Sequence, residues 1–373
     1  MADSNISDEA TSTYVTSTEG EPQEADKSLK AVVVKVLEER TITKEDGTFK
    51  QQNLQLQLLT GPNSGKTVIY KGISDLEVVG AGYYKEGDRV FVTESKNEEG
   101  NTVYYVVDYI RSGSLLWLVL LFIAVVLVIG YMKGFRAILA LVVSFLFIIK
   151  VMVPMFLASY NPLAVGLIGS FIVLLIIVYI TEGFNKKSHF ASLAILISLI
   201  FTAVLAIIFS NASHLTGQAS EDVIFLMSAT KTAIDFKGLL LAGIIVGTLG
   251  VLDDVVIGQV EAVLQIKNAN PDLSSFQAFR MAMKVGRSHL GAIINTLFLA
   301  YVGASLPLVL LFNVHQAPFV TFSQIINNEL VATEIVMTLV GVIGLCSAVP
   351  IATILAAKYL KADKIVDSDL DIV

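Results

Sequence analysis

The chain reads SLLWLVLLFIAVVLVIGYM from Ser114 to Met132, and none of these 19 residues is charged. A helix of about 20 apolar residues is long enough to cross the hydrocarbon core of a bilayer. A helix also satisfies its own backbone hydrogen bonds, which lipid cannot do for it. This stretch therefore predicts a transmembrane helix.

Apolar stretches of similar length recur to the end of the chain. Besides Ser114–Met132, spans are predicted at Ala137–Ser159, Leu163–Thr181, Phe190–Ser210, Gly238–Gly258, Leu290–Phe312 and Ile335–Leu360. Hydrophobic residues make up 54% of the chain and charged residues 16%, against about 25% charged in a soluble protein. We therefore predict a membrane all-α helical bundle of about seven transmembrane helices at 113–362, with a cytoplasmic tail at 363–373.

The part of the chain before these spans has a different pattern. Strand-like runs occur at Ala31–Leu37, Gln51–Leu59, Thr67–Lys71, Arg89–Thr93 and Thr102–Tyr109. Apolar and polar residues alternate from Asn53 to Leu58, which is typical of a half-buried strand. We predict a small all-β domain at 28–112, an OB-like barrel or a sandwich. Residues 1–27 are rich in acidic and hydroxyl side chains and predict a disordered tail.

Charge and motifs exclude several classes of function. Residues 1–110 hold 11 Lys and Arg against 19 Asp and Glu, and an acidic domain without a basic patch argues against nucleic-acid binding. One cysteine and four histidines predict neither a disulfide framework nor a metal site, and no cofactor is expected. Walker A, G-x-S-x-G and H-E-x-x-H motifs are absent from the sequence, so we do not expect an enzyme.

Lys and Arg in the breaks between spans predict the orientation. The basic breaks hold Lys133 and Arg136; Lys186 and Lys187; Lys267, Arg280, Lys284 and Arg287; and Lys358, Lys361 and Lys364. We predict that these breaks and the C-terminus are cytoplasmic, in a bacterial plasma membrane, and that the β domain is outside. An external domain requires a signal peptide or a preceding helix, and Met1–Asp26 resembles neither.

Asp253 and Asp254 lie inside the fifth predicted span. Ionisable residues within a membrane are costly and are candidates for function. At helical spacing, Asp254 shares a face with four glycines, Gly243, Gly247, Gly250 and Gly258. Because small residues allow helices to approach closely, we expect these glycines to pack against a helix and Asp254 to point into the bundle. Asp253 then lies about 100° away around the helix.

The proposed role of the pair is to bind or relay a cation or a proton. Asn295 and Thr296 lie at a similar depth in the sixth span, and Arg287 and Gln259 complete the candidate site. In the alternative, the aspartates lie near the cytoplasmic interface, where they pair with Arg280, Lys284 or Arg287 and only stabilise the fold. Glu334 is interpreted as an N-terminal charge that complements the dipole of the seventh span.

Several segments form a recognisable set of motifs: GVLDDV at Gly250–Val255 with Gln259, NANPDL at Asn268–Leu273, VGRSHLG at Val285–Gly291, Asn295–Pro307 and Glu329–Val336. In this order and spacing they resemble the YibE/F family of bacterial multi-pass membrane proteins. Leu59–Gly65 and Gly87–Val90 are similar to the extracytoplasmic β domain of that family, so the resemblance covers most of Ala31–Ala357. It implies a membrane location, a permease-like architecture and no particular substrate. Members usually carry a helix before the β domain.

Two functions are compatible with the sequence. The first is a transporter or permease for an unknown small solute or ion that uses the Asp253–Asp254 pair. The second is a non-transporting scaffold or sensor whose outer β domain binds an envelope component or a partner protein. Expected partners are the bilayer, the solute, and a second copy or a paired membrane protein. Intramembrane aspartyl proteolysis is disfavoured, because its two carboxylates must face each other and these are neighbours on one helix.

Overall fold

The structure is a computed structural model that describes residues 28–44, 47–73, 83–96, 100–230, 233–313 and 319–361. The predicted tails at 1–27 and 363–373 lie outside the described residues. The chain divides between Phe122 and Ile123 into two compact units.

The first unit contains a five-stranded antiparallel sheet. Its strands are β1 Ser28–Lys44, β2 Gly47–Leu58, β3 Thr67–Lys71, β4 Arg89–Lys96 and β5 Thr102–Tyr109, in the order β3-β2-β1-β4-β5. All five predicted strands are confirmed, and β3 and β5 have the predicted bounds. The central strand β1 pairs with both β2 and β4.

The core of the sheet follows from the alternation in β2. Leu54, Leu56 and Leu58 are fully buried and pack with apolar residues of β1 and β4 such as Val33 and Val90. Burying one leucine side chain contributes roughly 1.5 to 3 kcal/mol. One face of the sheet therefore holds its core.

Helices make up the rest of the described chain. They are α1 Ser112–Phe147, a π-helical turn Ile148–Met152, α2 Val153–Leu157, α3 Pro162–Thr181, α4 Lys186–Ala212, α5 Glu221–Ala229, α6 Phe236–Ala269, α7 Ser275–Ala304, α8 Leu306–Leu310, a 3-10 turn Leu311–Asn313, α9 Phe322–Ile326 and α10 Glu329–Tyr359. Among the described residues, five continuous helical runs are long and apolar enough to cross a membrane: Ser112–Leu157, α3, α4, α6 and α10. These helices support the prediction that the chain is a membrane protein.

The predicted number of seven spans is not confirmed. The first two predicted spans form one helical run of 46 residues, which kinks at Tyr131, where φ is 46° and ψ is −127°. The sixth predicted span is divided at Ser305 between α7 and α8. Helix α7 begins much earlier than predicted, at a capping box between Ser274 and Gln277. The residues between Ser275 and the predicted start of the span at Leu290 thus form the first part of α7.

Helix α6 lies at the centre of the helical unit and packs against α3, α4, α7 and α10. Small residues allow close contacts between helices of this unit. A Cβ atom added to Gly166 of α3 would lie 2.5 Å from the Cβ of Ala242, and one added to Gly344 of α10 would collide with the Thr202 hydroxyl of α4. Close approach at glycine is a common way for helices to pack in membranes.

Candidate functional site

Asp253 lies at the middle of α6, with 17 residues of the helix before it and 16 after it. Its side chain is buried, at 8% exposure, beside the fully buried Leu252 and Val256. No ion pair found among the described residues involves Asp253 or Asp254. The Asp253 carboxyl group is thus buried in an apolar helix, and no positively charged side chain among the described residues pairs with it.

Asp254 is exposed, contrary to the expectation that it points into the bundle. The four glycines that share its face are exposed too. A Cβ atom added at Gly243, Gly250 or Gly258 would meet no atom within 4 Å. The opposite side of α6 carries larger apolar residues, which are buried against the neighbouring helices: Ile245, Leu249, Leu252 and Val256. These larger side chains form the contacts of α6 with its neighbours, and the glycines lie on its exposed face. No described helix covers this face at Gly243, Gly250 or Gly258.

The predicted polar partners on α7 do not meet the aspartates. Arg287, Asn295 and Thr296 are exposed. The Thr296 hydroxyl donates a 3.0 Å hydrogen bond to the Ala292 carbonyl oxygen within its own helix. Pairing of the aspartates with Arg280, Lys284 or Arg287 is likewise not found among the described residues.

Gln259 is buried where three helices meet. Its side-chain amide donates hydrogen bonds to the Ala282 carbonyl oxygen of α7 at 3.0 Å and to the Thr353 hydroxyl oxygen of α10 at 2.8 Å. A Cβ atom added to Gly286 of α7 would lie 2.9 Å from the Gln259 amide oxygen. Gln259 therefore fixes α7 against α6 and α10, which is a positioning role.

Glu334 was not among the predicted site residues. It is partly buried in α10 and lines two cavities, one of about 310 Å³ and one of about 460 Å³. The acidic residue in the first turn of α10 is Glu329, which corrects the interpretation of Glu334 as the charge at the helix start. The sequence could have indicated that Glu334 lies inside the helix, because two glutamates five positions apart cannot both occupy the first turn of one helix.

Glu329 holds the connection between α4 and α6 against α10. One of its carboxylate oxygens accepts hydrogen bonds from the Thr216 backbone N–H at 2.6 Å, the Thr216 hydroxyl at 2.7 Å and the Gly217 backbone N–H at 3.1 Å. Gly217 has a φ of +74°, and with Ser220 it lines the smaller cavity. Glu329 thus fixes one wall of that cavity.

Basic residues lie at the opposite end of α6 and α10. The Lys187 ammonium group forms ion pairs with Glu182 at 2.6 Å and Glu261 at 2.8 Å. The buried Lys267 donates hydrogen bonds of 2.6 Å to the carbonyl oxygens of Ala357 and Leu360, where α10 ends. The aspartate pair therefore lies between a basic end and an end that carries Glu329 and Glu334.

Residues 118–362 match the family model described as YibE/F-like protein. The match begins inside α1 and continues past the end of α10, so Asp253, Gln259 and Glu334 all fall within it. The five strands precede the matched residues. No curated protein and no solved structure matches this chain.

Proposed function

The chain belongs to the YibE/F-like protein family, and from this premise we propose that it is a permease that moves a small solute or ion across a membrane. The proposed site is the Asp253–Asp254 pair of α6. The observation that carries the proposal is the buried, mid-helix Asp253, which has no paired cation among the described residues.

The chemistry of two adjacent carboxyl groups supports a cation or a proton as the bound species. Burial in low dielectric opposes the charged form of a carboxyl group, and a second negative charge nearby opposes it further. A cation or proton held at the pair offsets this cost. Asp254 is open and exchanges the bound species, whereas Asp253 retains it inside the bundle.

We propose a bacterial plasma membrane location, with the C-terminal end cytoplasmic and the β unit outside. The distribution of basic residues supports this orientation. Lys187, Lys267 and Lys358 lie at the end where α6 and α10 finish, and cytoplasmic ends of membrane proteins are enriched in Lys and Arg. Arg136, which follows the kink in α1, and Lys186, which begins α4, add to the same bias.

The β unit is proposed to be an OB-like barrel. Its edge strands β3 and β5 approach each other, which would close the sheet into the circular order 1-2-3-5-4. Closure removes exposed sheet edges, and small barrels of this kind bind ligands on their surface. This unit has its own apolar core, which also supports the second candidate, a scaffold or sensor whose outer domain binds an envelope component or a partner protein.

A comparison of intracellular ions and small metabolites by mass spectrometry distinguishes the two candidate functions. The strains are wild type, a deletion, and the variants Asp253→Asn, Asp254→Asn and Asp222→Asn at matched membrane abundance. For a permease, the same solute shifts in the deletion and in the Asp253→Asn and Asp254→Asn strains. The control Asp222→Asn changes an exposed carboxylate of α5 and should resemble wild type.

If no solute shifts in any strain, the permease proposal fails. In that case a variant without residues 28–110 is informative: a scaffold or sensor loses its function in that variant although the helical unit still accumulates. An aspartate variant that does not accumulate at all would instead favour a purely structural role for the pair.

A further inference from the structure

Glu334 is a partly buried carboxylate with no cation beside it. Among the described residues it forms neither an ion pair nor a side-chain hydrogen bond. It lies five residues after Glu329, about 7.5 Å along α10, so it is more than one turn inside the helix. A carboxylate held in this way in a spanning helix is a candidate binding group.

Two cavities meet at Glu334. The smaller one is bounded by Ser220 in the connection before α5 and by Thr333. The larger one is bounded by Tyr301 of α7, by Ser305 between α7 and α8, and by Thr338 of α10. Neither lining includes Lys, Arg or His in the part of the chain that the structure describes. The surface of the larger cavity is almost entirely apolar, so the smaller cavity is the one that offers hydroxyl oxygens beside the Glu334 carboxylate.

This ligand set favours a monovalent cation. Calcium sites use six to eight oxygen ligands and usually several carboxylates, whereas these linings contain a single carboxylate. No cluster of three or more His, Cys, Asp or Glu suited to a metal ion occurs among the described residues. A proton or an alkali-metal ion fits one carboxylate beside the hydroxyl groups of Ser220 and Thr333.

The same cavities touch the open glycine face of α6. Gly243 lines the smaller cavity. Tyr301 lines the larger one, and its hydroxyl oxygen lies 3.8 Å from the position of a Cβ added to Gly247. Gly250 and Asp254 follow on that face, so Asp254 is seven residues, about 10.5 Å of helix rise, beyond Gly247. The exposed glycine face of α6 therefore runs from beside these cavities toward Asp254.

We propose that Glu334 is a binding site for a monovalent cation, either a proton or an alkali-metal ion, on the path to Asp254. Binding at Glu334 stands on the cavities alone. The onward step along the glycine face rests on the proposed permease function.

Binding is tested by chemical protection of the full-length chain in detergent. A hydrophobic carbodiimide modifies protonated carboxyl groups in apolar surroundings, and the modified peptide is measured by mass spectrometry. Sodium or potassium should reduce modification of Glu334 relative to choline at equal ionic strength. Glu334→Gln has no carboxyl group at this position, so the modified peptide should be absent from that variant. Glu221→Gln, which alters an exposed carboxylate of α5, should leave both the modification of Glu334 and its protection unchanged.

A proton is distinguished by flux in liposomes that contain the full-length protein and a pH-sensitive dye. If neither alkali ion protects Glu334, an acid pulse should still produce a dye response that Glu334→Gln lowers by about tenfold and that Glu221→Gln does not change. The inference is overturned if neither alkali ion protects Glu334 and the dye response of Glu334→Gln equals that of wild type.

The same measurements separate this inference from the proposed function. Protection of Glu334 together with unchanged flux in Asp253→Asn and Asp254→Asn supports the site and contradicts the permease proposal. Loss of flux in the aspartate variants, with no protection of Glu334 in wild type and no effect of Glu334→Gln on flux, supports the permease proposal and contradicts the Glu334 site. Monodisperse elution of each variant shows that it has folded.

Discussion

The side-chain amide of Gln259 donates a 2.8 Å hydrogen bond to the hydroxyl oxygen of Thr353, across the contact between α6 and α10. The same amide group also reaches the Ala282 carbonyl oxygen of α7. This one buried side chain therefore joins three helices around the candidate site.

Removing this joint should destabilise the helical unit. We expect Gln259→Leu to lower the free energy of unfolding by about 1 to 3 kcal/mol, because it leaves buried polar partners unsatisfied. Thr353→Val removes a single acceptor and should cost less, about 0.6 to 2 kcal/mol. Unfolding in detergent, followed by circular dichroism, measures both. Thr296→Val, whose hydroxyl is exposed, is the control, and an equal loss there would contradict the assignment.

Gly344 and Gly258 should respond oppositely to the same substitution. Gly344→Ala places a methyl group against the Thr202 hydroxyl, and such overpacking typically costs about 1 to 3 kcal/mol. Gly258→Ala meets open space and should leave the stability of the single chain unchanged or slightly higher. Thermal unfolding of the two variants side by side tests this. Adding Thr202→Ala to Gly344→Ala should recover part of the loss.

Lys267 should stabilise the end of α10. Its ammonium group donates to two carbonyl oxygens there, where a positive charge also complements the helix dipole. Lys267→Met keeps much of the length of the side chain and removes the charge, so we expect a loss of about 1.5 to 3 kcal/mol. Hydrogen exchange of the last turns of α10 should rise. The exposed Lys284 provides the control Lys284→Met, which should have no such effect.

The first unit contains a carboxylate whose titration should depend on one arginine. The Arg111 guanidinium donates a 2.7 Å hydrogen bond to Asp108, and this bond, with that from the Tyr109 backbone N–H, lowers the pKa of Asp108 below its usual value. The contribution to stability is therefore complete above the unfolded-state pKa of about 3.9. It is lost as the pH falls through the lower, folded-state pKa.

Arg111→Met should raise the pKa of Asp108 toward that of a free aspartate. Carbon-13 NMR of the carboxyl group, identified by its absence in Asp108→Asn, measures the shift in the full-length chain. An unchanged titration in Arg111→Met would show that the ion pair does not form in solution.

The strands could be predicted from the sequence because their signal is local. The alternation of apolar and polar residues in β2 depends only on neighbours in the chain, and the sheet contains this strand. Apolar length likewise predicted the spanning character of α3, α4, α6 and α10. The number of spans could not be predicted in this way. The kink at Tyr131 is a matter of backbone conformation, and α7 begins early at a capping box, and a hydrophobicity pattern shows neither.

The candidate site was only partly predictable. Helical spacing correctly grouped Asp254 with the glycines, but periodicity states which residues share a face and not which face is buried. The buried face of α6 depends on contacts with α3, α4 and α10, which lie far away in sequence. Glu334 was missed as a site residue for the same reason, since its two cavities are formed by parts of several helices and a connection.

The open face of α6 also gives genetic experiments a clear reference. A methyl group at Gly250 or Gly258 meets no described atom within 4 Å, so packing among the described residues gives an alanine there no reason to be harmful. An alanine that abolishes function while the protein still accumulates would therefore obstruct something other than the described residues. These glycines can therefore serve as reporters for whatever passes along the helix or docks on it.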